Sequence, residues 1–411
     1  MKALVLCGGI PQIAAIKELK SRGIKTLLAD MNENVAAREY ADEFYNVSVL
    51  DVDAVRNLAK EQKVDFLITV CADQVLQVVA QVSEELGLPC YIDFATAQNV
   101  SNKAFMKKVF WDNDIPTSKF VIMDEFQEEK IKHLSYPIIV KPVDAYSSRG
   151  VAKVTDLAEL KKAFENAKNI SRTNNAIVEE FVDGEEVTVD IYVEDGIAHI
   201  LCLTNLYKIG EDGKFIINRS HIPAIISKDV ENQISDTAQK IADAFGLKNC
   251  PMLIQLITDG KKISVVEFCA RTGGGIKFLM IKKNSGFDVV KAVVDLTLGE
   301  KPHVEKIKVP DEITVNEFIY CKEGVFDRLD GFSQLLSEGI INDYKQFKPS
   351  GTLFGEINGS GDRVAYFSIE AESKEDLKRR HRIANSKIRA YSTDNVDLIR
   401  HDLIEKYSKG E

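Results

Sequence analysis

Residues 253–275 read LIQLITDGKKISVVEFCARTGGG, two apolar segments joined through Asp259-Gly260. An Asp-Gly pair between apolar segments is typical of a tight turn, so this stretch predicts a β-hairpin. Gln255 and Glu267 fall on its opposing strands. A carboxylate where a buried strand ends must be paired or hold a metal ion, and Mg²⁺ prefers carboxylate and carbonyl oxygens. The hairpin is therefore a candidate magnesium site.

The overall composition is that of an ordinary globular protein. The chain has 411 residues, of which 45% are hydrophobic and 28% charged, and its formal net charge is -10. This negative charge argues against nucleic-acid backbones and anionic membranes as main partners. The length exceeds that of one compact core, so two or three packed units are expected.

The cysteines and the N-terminus indicate a cytoplasmic protein. There are 7 cysteines, an odd number, and none forms a CxxC pair, which is typical of a reduced chain and not of a disulfide framework or zinc site. The apolar start, MKALVLC, meets two glycines and is too short for the core of a signal peptide. No segment approaches the ~20 apolar residues of a membrane span.

Residues 1–95 alternate strand and helix patterns. The apolar runs ALVLC, KTLLAD and DFLITVC are typical of buried parallel strands, and helical spacing separates them. This order predicts an open parallel sheet. The first turn, CGGIPQI, departs from G-x-G-x-x-G because a proline stands near the third glycine position. Its glycines suit a tight turn or a ligand-facing loop, and Asp30 suits a ribose or substrate hydroxyl or a turn cap.

The pattern changes after residue 95. TAQNVSNKAFMKKVFWDNDIP (96–116) predicts one basic helix that ends before a proline. Near the C-terminus, residues 351–371 predict a hairpin around NGSGD, and residues 374–391 predict a charged helix. The predicted domains are 1–95, 96–300 with a lid at about 115–175, and 301–411.

Five motifs then follow one another at plausible spacing: NKAFMK, IIVKP, AYSSRGV, IVEEFVDGEEVTVDIY and the hairpin with its glycines. This series resembles the ATP-grasp ligases over roughly residues 1–300. It is most similar to the carbamoyl-phosphate-synthase-like and L-amino acid ligase branch, where SSRGV-type loops and E-x-x-x-R-x-G-G endings are typical. The resemblance implies a mixed α/β ATP-grasp fold with an N-terminal parallel-sheet domain and a C-terminal subdomain.

The resemblance also implies a role for each motif residue around a nucleotide clamped between two subdomains. Phosphates would be contacted by Lys103 and Lys141 and covered by a lid formed by Ser147, Ser148, Arg149 and Gly150. The adenine edge would be contacted by Glu179, Glu180, Phe181 and Val182, and the ribose by Glu186. Mg²⁺ would be bound by Gln255 and Glu267, and Arg271 would lie at the γ-phosphate and the acyl phosphate.

The activity that this resemblance implies is ATP-dependent carboxylate–amine ligation through an acyl phosphate, with release of ADP and phosphate. Such phosphoryl transfer needs alignment and positive charge more than a protein nucleophile. The implied cofactors are ATP and Mg²⁺, with Mn²⁺ as an alternative. The implied partners are a small carboxylate and a small amine, and a homodimer is left open. Segment 144–150 is expected to close over the site and exclude water.

Cys269 departs from the resembled pattern, which usually has Asn two residues after the metal-binding Glu. A thiol is a soft, poor ligand for Mg²⁺. Three interpretations follow: water or phosphate fills the position, metal binding is weaker or limited to one ion, or the protein is a non-catalytic nucleotide binder. A zinc site at Cys269 is disfavoured because no second Cys or His lies near it in sequence.

Residues 204–224 are the candidate substrate segment in the resembled branch. Lys208, Arg219 and His221 are candidates to bind a substrate carboxylate, with Gly273 and Gly274 shaping the pocket. An exposed basic loop without a ligand is the alternative for the three basic residues.

Three other functions remain open at this stage. One is a purine- or carbamoyl-phosphate-type ligase that acts on a phosphorylated amine or bicarbonate. A second is a non-catalytic nucleotide-binding regulator. A third, a nicotinamide oxidoreductase, is disfavoured because the glycine fingerprint of residues 7–13 is incomplete.

Overall fold

The computed structural model describes residues 1–145, 149–209, 215–307 and 311–408. Within them the strands are, in chain order, β1 (Lys2–Leu6), β2 (Lys25–Asp30), β3 (Glu43–Asn46), β4 (Phe66–Ile68), β5 (Phe120–Met123), β6 (Ile138–Pro142), β7 (Ala152–Val154), β8 (Ala176–Glu180), β9 (Glu185–Glu194), β10 (Ile197–Ile209), β11 (Ile216–Ile222), β12 (Cys250–Thr258), β13 (Ile263–Cys269), β14 (Ile313–Ile319), β15 (Gly324–Asp330), β16 (Asp343–Gln346), β17 (Leu353–Phe354), β18 (Ala365–Ala371) and β19 (Arg389–Ser392).

The α-helices of the same residues are α1 (Ile10–Ser21), α2 (Val52–Gln62), α3 (Asp73–Leu86), α4 (Phe94–Asn99), α5 (Lys103–Asp112), α6 (Glu128–Ile131), α7 (Leu157–Ile170), α8 (Lys228–Ala244), α9 (Lys277–Ser285), α10 (Val289–Thr297), α11 (Phe332–Ser337), α12 (Lys374–Lys387) and α13 (His401–Ser408). None of the helices in these described ranges is both long and apolar enough to cross a membrane. The fold is mixed α/β, which confirms the predicted class.

The chain packs as two compact units. The first unit comprises Met1–Ser118, Thr188–Cys202 and Ser227–Val309. The second unit comprises Lys119–Val187, Leu203–Ile226 and Pro310–Glu411. Strands β9 and β10 are each divided between the two units along the chain.

The first unit begins with a parallel sheet of order β3-β2-β1-β4. Strands β1 and β2 are mostly buried, and they pack with α2 and α3 through a shared core that includes Leu4, Leu27, Val55 and Val79. This confirms the parallel sheet predicted from the alternating pattern. Strand β3 was not predicted, because its sequence EFYN lacks an apolar run and it is a half-exposed edge strand.

The glycine turn after β1 has a packing role. A Cβ on Gly8 would lie 2.1 Å from Val35 Cγ2, so no side chain fits there. The amide of Gly8 donates a hydrogen bond of 2.8 Å to Asp30 Oδ2, and Asp30 Oδ1 accepts another from the amide of Asn32. Of the two roles open for Asp30, the structure therefore supports the turn-stabilising one.

The single helix predicted over residues 96–116 is wrong in one respect, because two helices, α4 and α5, lie there. The side chain of Asn102 accepts hydrogen bonds from the amides of Ala104 and Phe105 and so caps a new helix. No glycine or proline marks the break between α4 and α5, so the sequence does not show it. The consequence is functional, since Lys103 becomes the first residue of α5.

The predicted hairpin around Asp259-Gly260 is confirmed as β12 and β13. Asp259 Oδ1 accepts hydrogen bonds from the amides of Lys261 and Lys262, which closes the turn. Gly260 has a φ of +87°, a conformation that favours glycine.

The second unit contains an antiparallel sheet of order β5-β8-β6-β7, which spans most of the predicted lid. Helix α7 covers it through a core that includes Leu160, Phe164, Ile138 and Val178. The same unit holds β11-β14-β18-β16 in antiparallel order, with α12 packed through Leu377.

The hairpin predicted over residues 351–371 is wrong. Strand β17 pairs with β15, whereas β18 pairs with β14 and β16. The turn residues of NGSGD are present, but each strand pairs with strands that are distant in sequence. Strand β18 is almost fully buried between its partners, and β17 has only two residues.

Candidate active site

The first unit places Lys103 beside Glu267, as one charged pair. Lys103 Nζ lies 2.8 Å from Glu267 Oε2, and both side chains are mostly buried. Burial lowers the pKa of Lys103, but the charge of Glu267, its hydrogen bond and the nearby Cys269 and Asp73 together outweigh burial, so the pKa is raised and the lysine stays cationic. The carboxylate predicted to bind Mg²⁺ and the lysine predicted to contact phosphate are 164 positions apart in sequence, yet they lie side by side in the structure.

Gln255 completes this arrangement from the neighbouring strand. It lies directly opposite Glu267 in the β12–β13 ladder, and residues paired in this way project from the same face of a sheet. Both side chains are partly buried, so they are neither core nor open surface. The face therefore presents an amide oxygen and a carboxylate side by side.

Arg271 follows β13 and is held by Asp73, the first residue of α3. The guanidinium Nε and Nη2 atoms both donate to the Asp73 carboxylate, and Nη1 donates to the Thr272 carbonyl at 2.7 Å. Burial raises the pKa of Asp73, but Arg271 outweighs burial and the pKa is lowered. Arg271 is thereby fixed in orientation and fully charged.

Cys269 lies between these two pairs on β13. Burial and the adjacent Asp73 carboxylate, in that order, raise the pKa of its thiol well above the ordinary value. The thiol is therefore neutral and hydrogen-bonded to Asp73. A neutral thiol is a poor nucleophile.

A third pair of the first unit was not predicted. Asp190 of β9 is buried, and Lys277, the first residue of α9, places its Nζ 3.0 Å from Asp190 Oδ2. Between Arg271 and Lys277, Gly273 is buried and Gly274 is exposed. Gly273 lies against this pair, since a Cβ there would be 3.3 Å from Asp190 Oδ1, and the contact of either glycine with a substrate stays a prediction.

In the second unit, Lys141 at the end of β6 pairs with Glu179 of β8. Lys141 Nζ lies 2.5 Å from Glu179 Oε1, and the two residues are 4% and 6% exposed. Burying such a pair costs desolvation energy that a hydrophobic pair would avoid, so the pair is not explained by fold stability alone. The pairing brings together two residues that were predicted to bind the nucleotide.

The adenine-edge candidates next to Glu179 are already engaged in part. The amide of Glu180 donates to the Lys119 carbonyl, and that of Phe181 donates to the Pro137 carbonyl, each at 3.0 Å. Phe181 also lies under Lys153 Nζ, 3.6 Å from the ring centroid. Val182 is half-buried.

The lid candidates are placed only in part. Ser147 and Ser148 lie outside the described residues, whereas Arg149 is exposed. Gly150 has a φ of +75°, and a Cβ there would lie 2.7 Å from Ile170 Cδ1. Glycine is therefore required at this position for both backbone and packing reasons.

Glu186, the ribose candidate, forms an ion pair with Lys208, a substrate candidate. Lys208 Nζ also lies 5.1 Å from the ring centroid of Phe215. The charge predicted to hold a substrate carboxylate is thus partly compensated within the second unit.

Arg219 and His221 differ from the predicted substrate segment, because both are buried in β11 at 3% exposure. Arg219 Nε donates to Glu317, its direct cross-strand partner on β14, and His381 Nε2 lies 3.0 Å from Glu317 Oε1. His221 Nδ1 lies 2.9 Å from the Pro223 carbonyl, and burial lowers the pKa of His221. This interior position excludes the exposed basic loop for these two residues, and their contact with a substrate carboxylate stays a prediction.

Sequence reasoning missed five residues that the structure places around the candidates: Asp73, Asp190, Lys277, Glu317 and His381. Asp73 and Lys277 each begin a helix, and a charged residue there is usually solvated. Asp190 was the one of the five that the sequence could have indicated, because it lies within the otherwise mostly apolar segment VTVDIYV. An aspartate in a buried strand is rarely found without a partner.

Two family models match the chain. Residues 134–279 match the ATP-grasp domain, and residues 4–90 match the PylC-like N-terminal domain. A formate-dependent phosphoribosylglycinamide formyltransferase of Mannheimia haemolytica is 22% identical over 84% of this chain and 89% of that protein.

Solved structures agree in fold. L-amino acid ligase from Bacillus licheniformis aligns with a TM-score of 0.78 at 20% identity, over 95% of this chain and 98% of that one. The biotin carboxylase domain dimer of 2-oxoglutarate carboxylase from Hydrogenobacter thermophilus, in complex with MgADP, ADP and bicarbonate, aligns with a TM-score of 0.78 at 16% identity, over 100% and 94%.

The fold and the matched domains define the class of protein, and the chain belongs to the ATP-grasp superfamily of ligases. More particularly, it is an ATP-grasp ligase with a PylC-like N-terminal domain, related to ligases that form carbon–nitrogen bonds with ADP as product.

Proposed function

We propose that this protein is an ATP- and Mg²⁺-dependent carboxylate–amine ligase that forms an amide or peptide bond through an acyl phosphate. The observation that carries the proposal is the Gln255–Glu267 face with Lys103 at 2.8 Å from the carboxylate. Oxygen ligands for a hard cation and a lysine for phosphate are the minimum equipment for phosphoryl transfer. The membership in the ATP-grasp ligases supports this assignment.

The donor set fits Mg²⁺. Among the described residues there is no group of three or more His, Cys, Asp or Glu that could hold a metal ion, which disfavours a zinc-type cage. Mg²⁺ is usually held by one or two carboxylates together with substrate phosphates and water, and Mn²⁺ accepts similar ligands. Gln255 and Glu267 would hold the ion, which supplies charge neutralisation at the phosphate oxygens.

In the proposed reaction the substrate carboxylate attacks the γ-phosphorus of ATP and the bond to the ADP oxygen breaks. The amine nitrogen then attacks the acyl carbon, phosphate leaves, and the nitrogen loses a proton. Arg271, oriented by two bonds to Asp73, would stabilise the charge on the transferred group. Lys103 and the metal ion would compete for the carboxylate of Glu267. Once Glu267 binds the metal ion, the Lys103 ammonium would be released to neutralise phosphate oxygens.

For the nucleotide, we assign the second unit's Lys141 to phosphate and Glu179 to the adenine amino group, with Glu180, Phe181 and Val182 at the adenine edge. Their buried pairing at 2.5 Å supports the choice of Lys141 and Glu179, because a paired buried charge is pre-positioned and dry. Arg149, Gly150, Ser147 and Ser148 are assigned to the lid, and Glu186 to the ribose. The domain limits 1–95, 96–300 and 301–411 are kept as part of the proposal.

The product identifies the mechanism. With a panel of acids and amines, we expect ADP and phosphate; release of AMP and pyrophosphate would refute the acyl-phosphate route. Lys141→Ala should abolish turnover, and a purely regulatory nucleotide binder would show no turnover in either form. Dependence on a phosphorylated amine or on bicarbonate would favour the purine- or carbamoyl-phosphate-type alternative.

Two further properties belong to this proposal. A homodimer is supported by the solved carboxylase-domain dimer of similar fold, and light scattering tests it. A cytoplasmic location is supported by the cysteines, since all seven are free thiols.

A further inference from the structure

Asp190 is a buried carboxylate in the first unit that none of the assigned roles uses. It lies on β9 and is 1% exposed. Lys277 Nζ lies 3.0 Å from Oδ2, yet neither carboxylate oxygen makes a well-directed side-chain hydrogen bond within the described ranges. Burial raises the pKa of Asp190 and outweighs the opposing effects of Lys277, Arg271 and the backbone amide of Gly273. These groups together therefore compensate the buried carboxylate incompletely.

A second buried polar group lies in the glycine segment that passes Asp190. Thr272 is 3% exposed, and its hydroxyl has no hydrogen-bond partner in the part of the chain that is described. Burying a hydroxyl or a carboxylate in this way is costly unless a partner arrives. Two such groups close to one backbone segment indicate a ligand.

The backbone next to Asp190 keeps one side open. A Cβ on Gly273 would lie 3.3 Å from Asp190 Oδ1 and 2.8 Å from Lys277 Cγ, so a side chain at 273 would press on the pair. A Cβ on Gly274 would meet nothing within 4 Å. Room for a small group therefore adjoins the carboxylate, two residues after Arg271.

We propose that Asp190 and the hydroxyl of Thr272 bind the ammonium group of the acid that is phosphorylated, which makes that acid an amino acid. An ammonium group has three donors and a positive charge, which match one carboxylate and one hydroxyl oxygen. A phosphorylated amine or bicarbonate would instead bring negative charge towards Asp190. This inference rests on the proposed function and names its substrate class.

The ammonium group belongs to the acyl donor and not to the attacking amine. A carboxylate favours the charged form of an adjacent amine, and a protonated amine cannot attack the acyl phosphate. Asp190 would therefore keep the amine of the bound donor protonated while the donor's carboxylate lies towards Arg271. The amine of that bound molecule could then not act as the attacking nucleophile.

The test compares amino acids with desamino acids of the same carbon skeleton, such as leucine with 4-methylpentanoate. Phosphate release is measured with a mixture of amines as acceptors, for the natural protein and for Asp190→Asn. We expect turnover with amino acids only, and a KM for the amino acid raised about 10- to 100-fold in Asp190→Asn. The affinity for MgADP, measured by calorimetry, should stay unchanged.

Asp295→Asn is the matched control, because Asp295 is also buried, at 5%, and ion-paired to Arg22 and Lys291 outside the site. If Asp190→Asn does not fold, Thr272→Val keeps the shape, removes the hydroxyl and should raise the same KM. Equal use of desamino acids, or an unchanged KM in the variants, overturns the inference and leaves ligation standing. Absence of any acid-dependent ADP formation overturns the proposed function instead.

Discussion

Replacing Arg219 by methionine should destabilise the second unit without changing substrate affinity. Arg219 and Glu317 are direct cross-strand partners on β11 and β14, and they are 3% and 0% exposed. Loss of the guanidinium leaves the Glu317 carboxylate buried with His381 as its remaining partner shown here. Removing one member of a buried pair costs about 3–5 kcal/mol, because the other charge stays in a dry interior.

The magnitude follows from the size of the unit. For a unit of about 200 residues, each kcal/mol shifts Tm by about 2–4 °C, so Arg219→Met should lower Tm by about 6–20 °C. Replacing both Arg219 and Glu317 by methionine should restore most of the loss, since no charge is then left buried. Calorimetry measures Tm, and hydrogen exchange in β11 and β14 shows whether the loss is local.

Lys387→Met is the control, because Lys387 and Glu338 form an exposed pair of the same unit at 2.9 Å. Exposed pairs contribute about 0–1 kcal/mol, so Tm should barely change. The reasoning is refuted if Arg219→Met keeps Tm within about 1 °C while the KM of the acid rises. That result would support the substrate-binding role that the sequence predicts for Arg219.

Two further predictions concern β13. Glu267→Gln should raise the Mg²⁺ concentration for half-maximal phosphate release at least about tenfold. The control Asp259→Asn, at the exposed hairpin tip, should leave that concentration unchanged. Equal Mg²⁺ dependence in the two variants would show that Glu267 does not bind the metal ion. Cys269→Asn should change that concentration less than about fivefold, because the amide can replace the thiol's hydrogen bond to Asp73, and a larger gain in Mg²⁺ affinity would show that the position lacked a ligand.

Sequence reasoning succeeded where the deciding interactions are local. The β12–β13 hairpin was predictable from the turn at Asp259-Gly260, but the pairing of Gln255 with Glu267 also depends on an irregularity of the ladder between Gln255 and Leu256, which shifts the register by one residue. The parallel sheet of the first unit was predictable from continuous apolar runs. The false hairpin at residues 351–371 failed for the converse reason, since β17 and β18 found partners far away in sequence.

The candidate site was predictable in type and order, and unpredictable in its charge partners. Motif order led to Lys103, Lys141, Glu179 and Glu267, all of which the structure pairs within their own units. A basic residue in a sequence looks the same whether it is exposed or buried, so the burial of Arg219 beside Glu317 could not be predicted.

The alternating pattern and the turn chemistry were sufficient for the fold class and the β12–β13 hairpin, because each depends on neighbours within a few residues. The order of the motifs along the chain was sufficient for the ATP-grasp assignment. The partners of Arg271, Cys269 and Asp190 emerged only from packing. Arg271 and Asp73 are 198 positions apart, and no local rule relates them. Charge compensation in a buried site depends on which groups the folded chain brings within a few ångströms, and that information is absent from any single segment.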